Sequence, residues 1–300
     1  MKKDRLVLID AFALIHRAYH ALPPFTTKDG QPVGAVYGFA SALLAAIKNL
    51  EPEYLAVGID LPKPTKRHEA YVEYKAHRVP APDDLVVQIP IVKEVLATFN
   101  IPVFAMEGYE GEDVIASIIN ECRMQNVELE FIIVTGDLDT LQLVDKQTKV
   151  YSMARGVNSA VMYDIEKVKE RYGLSPEQFV DFKALKGDPS DNIPGVKGIG
   201  EKGAAKLIAE HGNLDNIYKN IKKLPEKLQT LLQENKEQAE LSQKLSRIET
   251  NLDLDFSLSA ARVHDYNYEK VKKLFNRLGF RSLIGRLPES NRPDNQQKLL

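Results

Sequence analysis

The sequence contains one cysteine, no tryptophan and no long apolar run. Cys122 has no partner for an internal disulfide, and it falls in a helical pattern that favours a core or boundary position. No run approaches the ~20 apolar residues that a membrane span needs, and no apolar signal segment follows the first residues. The sequence therefore predicts a cytoplasmic protein that does not interact with membranes.

Sequence patterns for several kinds of site are absent as well. None of the six histidines has the spacing to a cysteine that a zinc site needs, and no Gly-x-x-x-x-Gly-Lys-Ser/Thr loop indicates ATP use. No serine, cysteine or histidine pattern indicates a covalent nucleophile. The formal net charge is only −2, so any binding of nucleic acid would have to come from local basic segments.

Apolar strands alternate with helical periodicity through the first half of the chain. This pattern predicts an α/β domain in which a mostly parallel sheet carries helices on both faces. It places strands at 5–9, 54–59, 102–106 and 130–134, and helices at 11–21, 35–50, 84–99 and 110–124.

The pattern changes near residue 174. Ser175 and Pro176 form a favourable helix start, and helices joined by short loops follow to about residue 249. The segment 265–287 is interpreted as a return with one helix, and 288–300 is polar and contains proline. Since 300 residues accommodate about two domains, we expect an α/β domain at 1–174, a helical domain at 175–287 and a linker or tail at 288–300.

Nine acidic residues lie at the ends of predicted strands or in short loops. Three of them, Asp10, Asp60 and Asp137, closely follow strands, and ligands bind at the carboxyl ends of parallel strands. Glu110 and Asp113 share a helix face near its amino end, where the helix dipole alone also favours acids. The complete set is Asp10, Asp60, Glu110, Glu112, Asp113, Asp137, Asp139, Asp188 and Asp191.

Solvation or helix capping accounts for any one of these acids taken alone. Their joint placement favours a cluster that holds divalent cations, because hard ions such as Mg²⁺ and Mn²⁺ take oxygen ligands. Two such ions about 3.5–4 Å apart stabilise both the attacking and the leaving oxygen in phosphodiester hydrolysis. Without cations, carboxylates packed this closely should repel one another and have raised pKa values. The acids therefore predict a phosphodiesterase with two metal ions.

A glycine-rich segment, Gly195 to Gly200, precedes a predicted helix. Glycines allow a tight hairpin and close approach of the backbone, and the free amide groups at the start of a helix favour a docked phosphate. Lys197, Lys202 and Lys206 add positive charge nearby. We expect this segment to hold a nucleic-acid backbone, and the alternative is a glycine-rich connector without a ligand.

Residues 63 to 78 form a basic segment that includes Tyr71 and Tyr74. Aromatic side chains next to cations suit the stacking and the backbone contacts of single-stranded nucleic acid. A solvated charged loop explains the composition equally well. The cations of this segment are Lys63, Lys66, Arg67, Lys75 and Arg78.

Together these segments resemble the bacterial 5′ nuclease family, which includes the 5′–3′ exonuclease domain of DNA polymerase I and has flap endonucleases as more distant relatives. The resemblance covers about residues 5 to 287. It implies a PIN-like α/β nuclease domain with a helix-hairpin-helix element at about 187–211. The motifs that carry it are Phe25 to Gly38, Arg67-His68-Glu69, Tyr74-Lys75-Ala76-His77-Arg78, Glu107-Gly108-Tyr109-Glu110, Val134-Thr135-Gly136-Asp137, Gly187 to Gly195, and Phe280-Arg281-Ser282-Leu283.

The resemblance also implies roles for individual residues. Arg17, Lys75 and Arg78 would be catalytic residues at the scissile phosphate or the 5′ strand, and about 63–90 would form the arch that a 5′ single strand passes through. Two Mg²⁺ ions, with Mn²⁺ as a substitute, would be bound by two groups of acids: Asp10, Asp60, Glu110, Glu112 and Asp113 for the first, and Asp137, Asp139, Asp188 and Asp191 for the second. The hairpin would grip duplex DNA, with K⁺ at its backbone carbonyls. The expected DNA contacts are Lys66, Arg67, Tyr74, Gly195, Lys197, Gly198, Gly200, Lys202 and Lys206.

Three positions depart from the family pattern. Glu112 stands where aspartate is usual, Ala11-Phe12-Ala13 replaces Gly-Ser-Ser after Asp10, and Leu138 replaces a lysine. None removes an acid, so we expect a monomeric, metal-dependent 5′–3′ exonuclease and 5′-flap endonuclease that acts on DNA in replication and repair. Two alternatives stay open, namely a DNA-structure-binding protein with impaired catalysis and a PIN-type ribonuclease. The sequence also leaves open whether the chain is a separate nuclease or is joined to a polymerase domain.

Overall fold

A six-stranded sheet lies at the centre of the computed structural model, which describes residues 3–154 and 156–288. Its strands are β1 (Asp4–Asp10), β2 (Tyr54–Gly58), β3 (Val103–Phe104), β4 (Leu129–Thr135), β5 (Thr148–Ser152) and β6 (Val161–Tyr163). They are ordered β3-β2-β1-β4-β5-β6, and every neighbouring pair is parallel except β5 and β6. The predicted mostly parallel sheet is therefore confirmed, with two further strands at one side.

The sheet forms because its central strands are apolar on both faces. In β1, Val7 and Ile9 belong to one core cluster, while Leu6 and Leu8 belong to the other, and all four are fully buried. Strands covered on both faces need this continuous apolar sequence. Helices pack on each side, as predicted.

The helices surround the sheet and then continue as a separate group. They are α1 (Ala11–Ala21), α2 (Gly34–Leu50), α3 (Lys66–Ala70), α4 (Asp83–Val86), α5 (Ile89–Thr98), α6 (Gly111–Met124), α7 (Ile165–Tyr172), α8 (Phe179–Lys186), α9 (Glu201–His211), α10 (Leu214–Lys219), α11 (Glu226–Glu234), α12 (Lys236–Ser246), α13 (Tyr268–Leu278) and α14 (Arg281–Ile284). Within residues 3–154 and 156–288, none of them is long and apolar enough to cross a bilayer.

The single helix predicted at 84–99 is two helices, α4 and α5. Pro90 lies in the first turn of α5, where its missing N–H costs no intrahelical hydrogen bond, so the chain breaks just before it. Gln88 lies at this break and is buried, and its side-chain oxygen accepts a 2.8 Å hydrogen bond from the backbone of Ala35 in α2. Gln88 therefore holds the start of α2 in place.

The helices within 175–287, predicted as one domain, pack in two different places. Residues between Leu174 and Ala239 share a core of their own, made by α8 to α12. Val271 and Phe275 of α13 instead pack into the core beneath α2 and α5, and Arg277 makes a 2.5 Å ion pair with Glu94. An amphipathic helix buries its apolar stripe against the nearest apolar surface, which here belongs to the first domain. The predicted tail begins at Pro288, and the rest of it lies outside the described residues.

Cys122 lies on α6 and is only 2% exposed. Burial raises the pKa of its thiol to about 11. Because the thiolate is the reactive form, we expect the native protein to react with a disulfide reagent at pH 8 at least about 100-fold more slowly than the unfolded chain. The same reaction in denaturant is the control, and rapid stoichiometric labelling of the native protein would contradict the buried placement.

Candidate active site

Three acids line the carboxyl edge of the sheet, at its centre. Asp10 ends β1, and Asp60 and Asp137 follow the neighbouring strands β2 and β4 by two residues. Asp10 caps α1 by accepting a 3.1 Å hydrogen bond from the backbone of Ala13, and its second oxygen accepts a 2.7 Å bond from the Thr135 hydroxyl. Strand order and caps therefore hold these carboxylates together, as the sequence predicts.

These three acids line a cleft of about 630 Å³ at this edge of the sheet. Asp10, Asp60, Glu110, Glu112 and Asp137 supply its negative charge, and Lys75 and Arg78 face them from the arch segment. Phe12 and His16, whose ring centroids are 4.9 Å apart, form part of the wall. Their spacing of four residues on α1 puts them on one helix face, a signal that sequence reasoning did not use.

Burial and mutual repulsion disfavour the ionised form of several acids. Burial raises the pKa of Asp10 to about 7, and Asp60 and Asp137 contribute to this rise. The pKa of Asp139 is also about 7, because of burial and the charge of Asp137. Burial likewise raises the pKa values of Asp60 and Glu112. A site with such raised pKa values favours bound cations, which relieve the repulsion.

The start of α6 brings Glu110, Glu112 and Asp113 to the site. Glu110 is the N-cap, and a capping box with Asp113 closes the first turn. Asp113 is completely buried and forms two parallel hydrogen bonds, of 2.7 and 2.8 Å, with the guanidinium of Arg67. Arg67 is itself buried and bonded within the protein, and its contact with DNA stays a prediction.

The Lys183 side chain on α8 is 3% exposed and joins acids from both parts of the chain. It forms ion pairs with Asp139, after β4, and with Asp188 at 2.7 Å. Burial raises the pKa of Asp188, but the charge of Lys183 and the hydrogen bonds from Lys183 and Ser190 lower it by more. The pKa of Asp188 is therefore about 2. Lys183 is not among the site residues predicted from the sequence. A lysine flanked by Phe182, Ala184 and Leu185 is the signal that indicates a buried, paired cation.

The arch segment places a second set of cations over the acids. Lys75 bonds to Glu110 at 2.7 Å and lies 3.7 Å from Asp191, while Arg78 bonds to Asp191 at 2.5 Å. Tyr74 is 2% exposed, and its hydroxyl donates to Asp191 at 3.1 Å, so it supports the site in this structure. Its contact with DNA stays a prediction. Asp191 therefore lies beside Glu110, whereas the predicted grouping put it with Asp188.

Lys75 has a left-handed backbone with φ of 53°, a conformation that costs free energy in a residue other than glycine. A 2.9 Å hydrogen bond from its backbone N–H to the carbonyl of Asp191 holds this turn against the loop before the hairpin. The Asn192 amide adds a 2.7 Å bond to the carbonyl of Glu73. The arch and the hairpin region are thus joined at the active site.

Arg17 lies half-buried on α1 and does not line the cleft. Its Nε donates a 3.2 Å hydrogen bond to the carbonyl of Ala154, and its chain passes Gly136, just before Asp137. The structure therefore places Arg17 beside Gly136, which precedes Asp137, whereas Lys75 and Arg78 line the cleft and bond to its acids.

The glycine-rich hairpin connects α8 to α9, and its lysines are exposed to solvent. Lys197, Gly198, Gly200, Lys202 and Lys206 are exposed. They lie by the free amino end of α9, which has no side-chain cap. Lys66, at the arch, is exposed as well and lies 4.5 Å from the Tyr109 ring centroid.

Gly195 is the exception among the predicted hairpin contacts. It is buried, and its backbone N–H donates a 3.0 Å hydrogen bond to the Ser242 hydroxyl. A Cβ atom there would lie only 2.3 Å from the backbone nitrogen of Gly187. Gly195 is therefore a packing residue in this structure, and its contact with DNA stays a prediction.

The acids are not arranged as a finished metal site. Across residues 3–154 and 156–288, no group of three or more Asp, Glu, His or Cys side chains has the geometry to hold an ion. The reason is visible in the ion pairs, since Lys75, Arg78 and Lys183 draw carboxylate oxygens towards themselves. The donor set nevertheless fits a hard divalent ion, because it offers carboxylate oxygens only and their raised pKa values indicate missing positive charge.

Two families match consecutive parts of the chain. The family described as 5′–3′ exonuclease, N-terminal resolvase-like domain, matches residues 5–173, and 5′–3′ exonuclease, C-terminal SAM fold, matches residues 174–269. DNA polymerase I of Caldicellulosiruptor bescii is 43% identical over 285 residues, which are 94% of this chain and 33% of the relative. DNA polymerase I of Bacillus subtilis is 36% identical over 300 residues, 100% of this chain and 34% of the relative. The chain thus spans about a third of these relatives.

Solved structures agree with the fold. The 5′-exonuclease of T5 with bound divalent zinc has a TM-score of 0.64 and 25% identity, and the match covers 81% of this chain and 89% of that one. Flap endonuclease-1 from Methanococcus jannaschii, at 19% identity and a TM-score of 0.56, covers 94% of this chain and 93% of its own and supports the fold alone. The predicted PIN-like domain with a helical domain behind it is confirmed. The chain belongs to the 5′–3′ exonuclease family.

Proposed function

We propose that this chain is a divalent-metal-dependent nuclease that hydrolyses DNA near 5′ ends and at 5′-flap junctions. The observation that carries the proposal is the cleft at the sheet edge, where buried acids with raised pKa values face Lys75 and Arg78. Such a cleft suits a phosphodiester, because acids gather cations and the cations attract the phosphate. Family membership supports the same activity.

Two divalent ions, Mg²⁺ or Mn²⁺ in its place, fit the donor chemistry of the cleft. Asp10, Asp60, Glu110 and Glu112 would hold one, and Asp137, Asp139 and Asp188 would hold the other. When bound, such ions supply Lewis-acid polarisation of the phosphate and lower the pKa of coordinated water. Asp191 lies beside Glu110 in the structure, so we assign it to the first group.

Lys75 and Arg78 can bind the substrate phosphate once divalent ions neutralise the acids. Lys75 and Arg78 are then free to leave Glu110 and Asp191 and to bind the phosphate oxygens on which negative charge develops. Arg17, on α1 beside Gly136, would contact the scissile phosphate or the 5′ strand. Burial lowers the pKa of Lys75, but Glu110 and Asp191 outweigh it and raise the pKa, so the ammonium stays charged.

Grip on the duplex is assigned to the hairpin between α8 and α9. Its exposed glycines permit close approach of the DNA backbone, and Lys197, Lys202 and Lys206 add charge beside the open amino end of α9. A K⁺ ion at the hairpin carbonyls belongs to this proposal. A monomeric state, a cytoplasmic location and covalent linkage to a polymerase domain also stay predictions.

The decisive experiment is a product map on a labelled 5′-flap DNA, with a flush duplex and a matched RNA flap as comparisons. We expect cleavage at the flap junction in Mg²⁺ and in Mn²⁺, none in EDTA, and little on RNA. Cleavage in EDTA at the rate seen in Mg²⁺ would refute the proposal. Tight binding of flaps without cleavage in either metal would instead indicate a DNA-structure-binding protein, and equal cleavage of RNA would indicate a ribonuclease.

A further inference from the structure

The guanidinium of Arg67 joins three segments that are distant in sequence. Arg67 belongs to α3, at the base of the arch, and its Nε donates a 3.0 Å hydrogen bond to the carbonyl of Leu245 at the end of α12. Its Nη2 donates to the carbonyl of Arg247 at 2.8 Å. The remaining face forms the paired bonds to Asp113 on α6. One buried cation thus ties the arch, the helical domain and the acid-bearing helix together.

The carboxylate of Asp113 is fully used by these contacts. Its Oδ2 accepts from Arg67 at 2.7 Å and from the backbone N–H of Glu110 at 3.0 Å. Its Oδ1 accepts from Arg67 at 2.8 Å and from the backbone N–H of Glu249 at 2.9 Å. An ionised carboxyl group offers about four lone-pair sites. All of them are taken, and the residue is completely buried.

The acids on either side of Asp113 are placed by the same pair. Glu110 is held through its backbone, and its Oε2 lies 3.4 Å from Arg67 Nη1. Glu112 Oε1 lies 3.6 Å from Arg67 Nη2. Both side chains also line the cleft, so a shift of Arg67 would move two acids of the site together.

We propose that Asp113 is not a metal ligand, and that Arg67 and Asp113 are a pair of positioning residues. The pair sets Glu110 and Glu112 in the orientation that a divalent ion requires, and it links this orientation to the arch and the end of α12. The inference rests on the proposed function. Groups that orient metal ligands typically change metal affinity or activity by about 10–100-fold when they are altered. Lysine cannot take over from Arg67, because a point charge cannot form the two parallel bonds.

The test compares Arg67→Lys and Asp113→Asn with the parent by two measurements. The first is Mn²⁺ binding without DNA, followed by the electron paramagnetic resonance signal of free Mn²⁺. The second is the kcat and KM for a 5′-flap DNA. We expect both variants to keep the number of Mn²⁺ ions bound, to lose about 10–100-fold in affinity, and to lose kcat with little change in KM. Excess Mn²⁺ should restore part of the rate in both.

The matched control is Arg123→Lys on α6, the helix that carries Asp113. Arg123 pairs with Asp145 at 2.5 Å near the other end of α6, so this variant should bind Mn²⁺ like the parent. Melting curves report whether each variant is folded, and Asp113→Asn, which keeps the shape of the side chain, decides if Arg67→Lys does not fold.

Three outcomes would overturn the inference. The first is the loss of a whole Mn²⁺ ion in Asp113→Asn while Arg67→Lys binds normally, since Asp113 would then be a direct ligand. The second is unchanged Mn²⁺ affinity in both variants, and the third is a parent that binds no Mn²⁺. A parent that binds Mn²⁺ but does not cleave flaps would refute the proposed function alone, and the affinities would still decide the role of the pair.

Discussion

Replacement of Asp10 by asparagine should abolish most cleavage of flap DNA while leaving the protein folded. Asp10 is the central acid of the sheet edge, and asparagine offers a metal one neutral oxygen in place of a charged carboxylate. We expect kcat to fall on the order of 10³-fold, the scale seen when one preorganised electrostatic group is removed. The amide can keep the cap to Ala13, and the Thr135 hydroxyl can reverse its hydrogen bond.

The same substitution should stabilise the metal-free protein at neutral pH. The pKa of Asp10 is about 7 in the folded state and about 3.8 in the unfolded one, so the folded state binds more protons between these values. Stability of the parent therefore falls as pH rises from about 4 to 7. An asparagine at this position has no proton to lose, so Asp10→Asn should melt at a higher temperature than the parent at pH 8 in EDTA, with a smaller difference at pH 4.

Asp164→Asn is the matched control for both measurements. Asp164 caps α7 through a 2.8 Å hydrogen bond from Lys167, much as Asp10 caps α1, but it lies outside the cleft. Asp164→Asn should leave the rate of flap cleavage unchanged. Its melting temperature should differ from that of the parent by the same amount at pH 4 and at pH 8. Parent-like cleavage by Asp10→Asn would show that Asp10 is not part of the metal centre.

Gly195→Ala should loosen the hairpin and remove most binding to duplex DNA. The φ of Gly195 is 63°, in the left-handed region, and an added Cβ would meet Gly187 and Lys186 backbone atoms at 2.3 to 2.7 Å. Backbone atoms cannot move aside as a flexible side chain would. We expect the free energy of unfolding to fall by about 3 kcal/mol, from strain and overpacking together.

Denaturant unfolding and a fluorescence titration with duplex DNA would measure the two effects. Gly285→Ala is the control, because a Cβ there meets nothing within 4 Å and its φ is −69°. Its stability and DNA affinity should match those of the parent. Parent-like stability of Gly195→Ala would mean that Gly187 and Gly195 do not pack this closely.

The part of the site that could be predicted from the sequence is the part that follows from the order of strands and helices and from residue type over short stretches. Alternation of apolar strands and helices implies a parallel sheet, and a parallel sheet brings its strand ends to one edge. Asp10, Asp60 and Asp137 follow from that argument alone, without any contact being known. The open amino end of α9 and its exposed lysines follow from the glycine spacing in the same way.

Other features depend on contacts that no local pattern encodes. Arg67 and Tyr74 belong to a basic, aromatic segment that suits DNA, yet both side chains turn inward to Asp113, Glu110 and Asp191. Pro90 is a local signal that predicts the break between α4 and α5. The packing of α13 on the first domain has no such local signal, because it depends on an apolar surface that several elements form together.

The sequence by itself therefore determined the sheet, the edge at which the acids collect and the basic hairpin, because these follow from periodicity and residue type over short stretches. Only the tertiary structure decided which acids meet which cations. Arg67 reaches Leu245 across 178 residues, and Lys183 reaches Asp139 across 44. A buried ion pair forms only where packing removes water from both partners, and packing is a property of the folded chain.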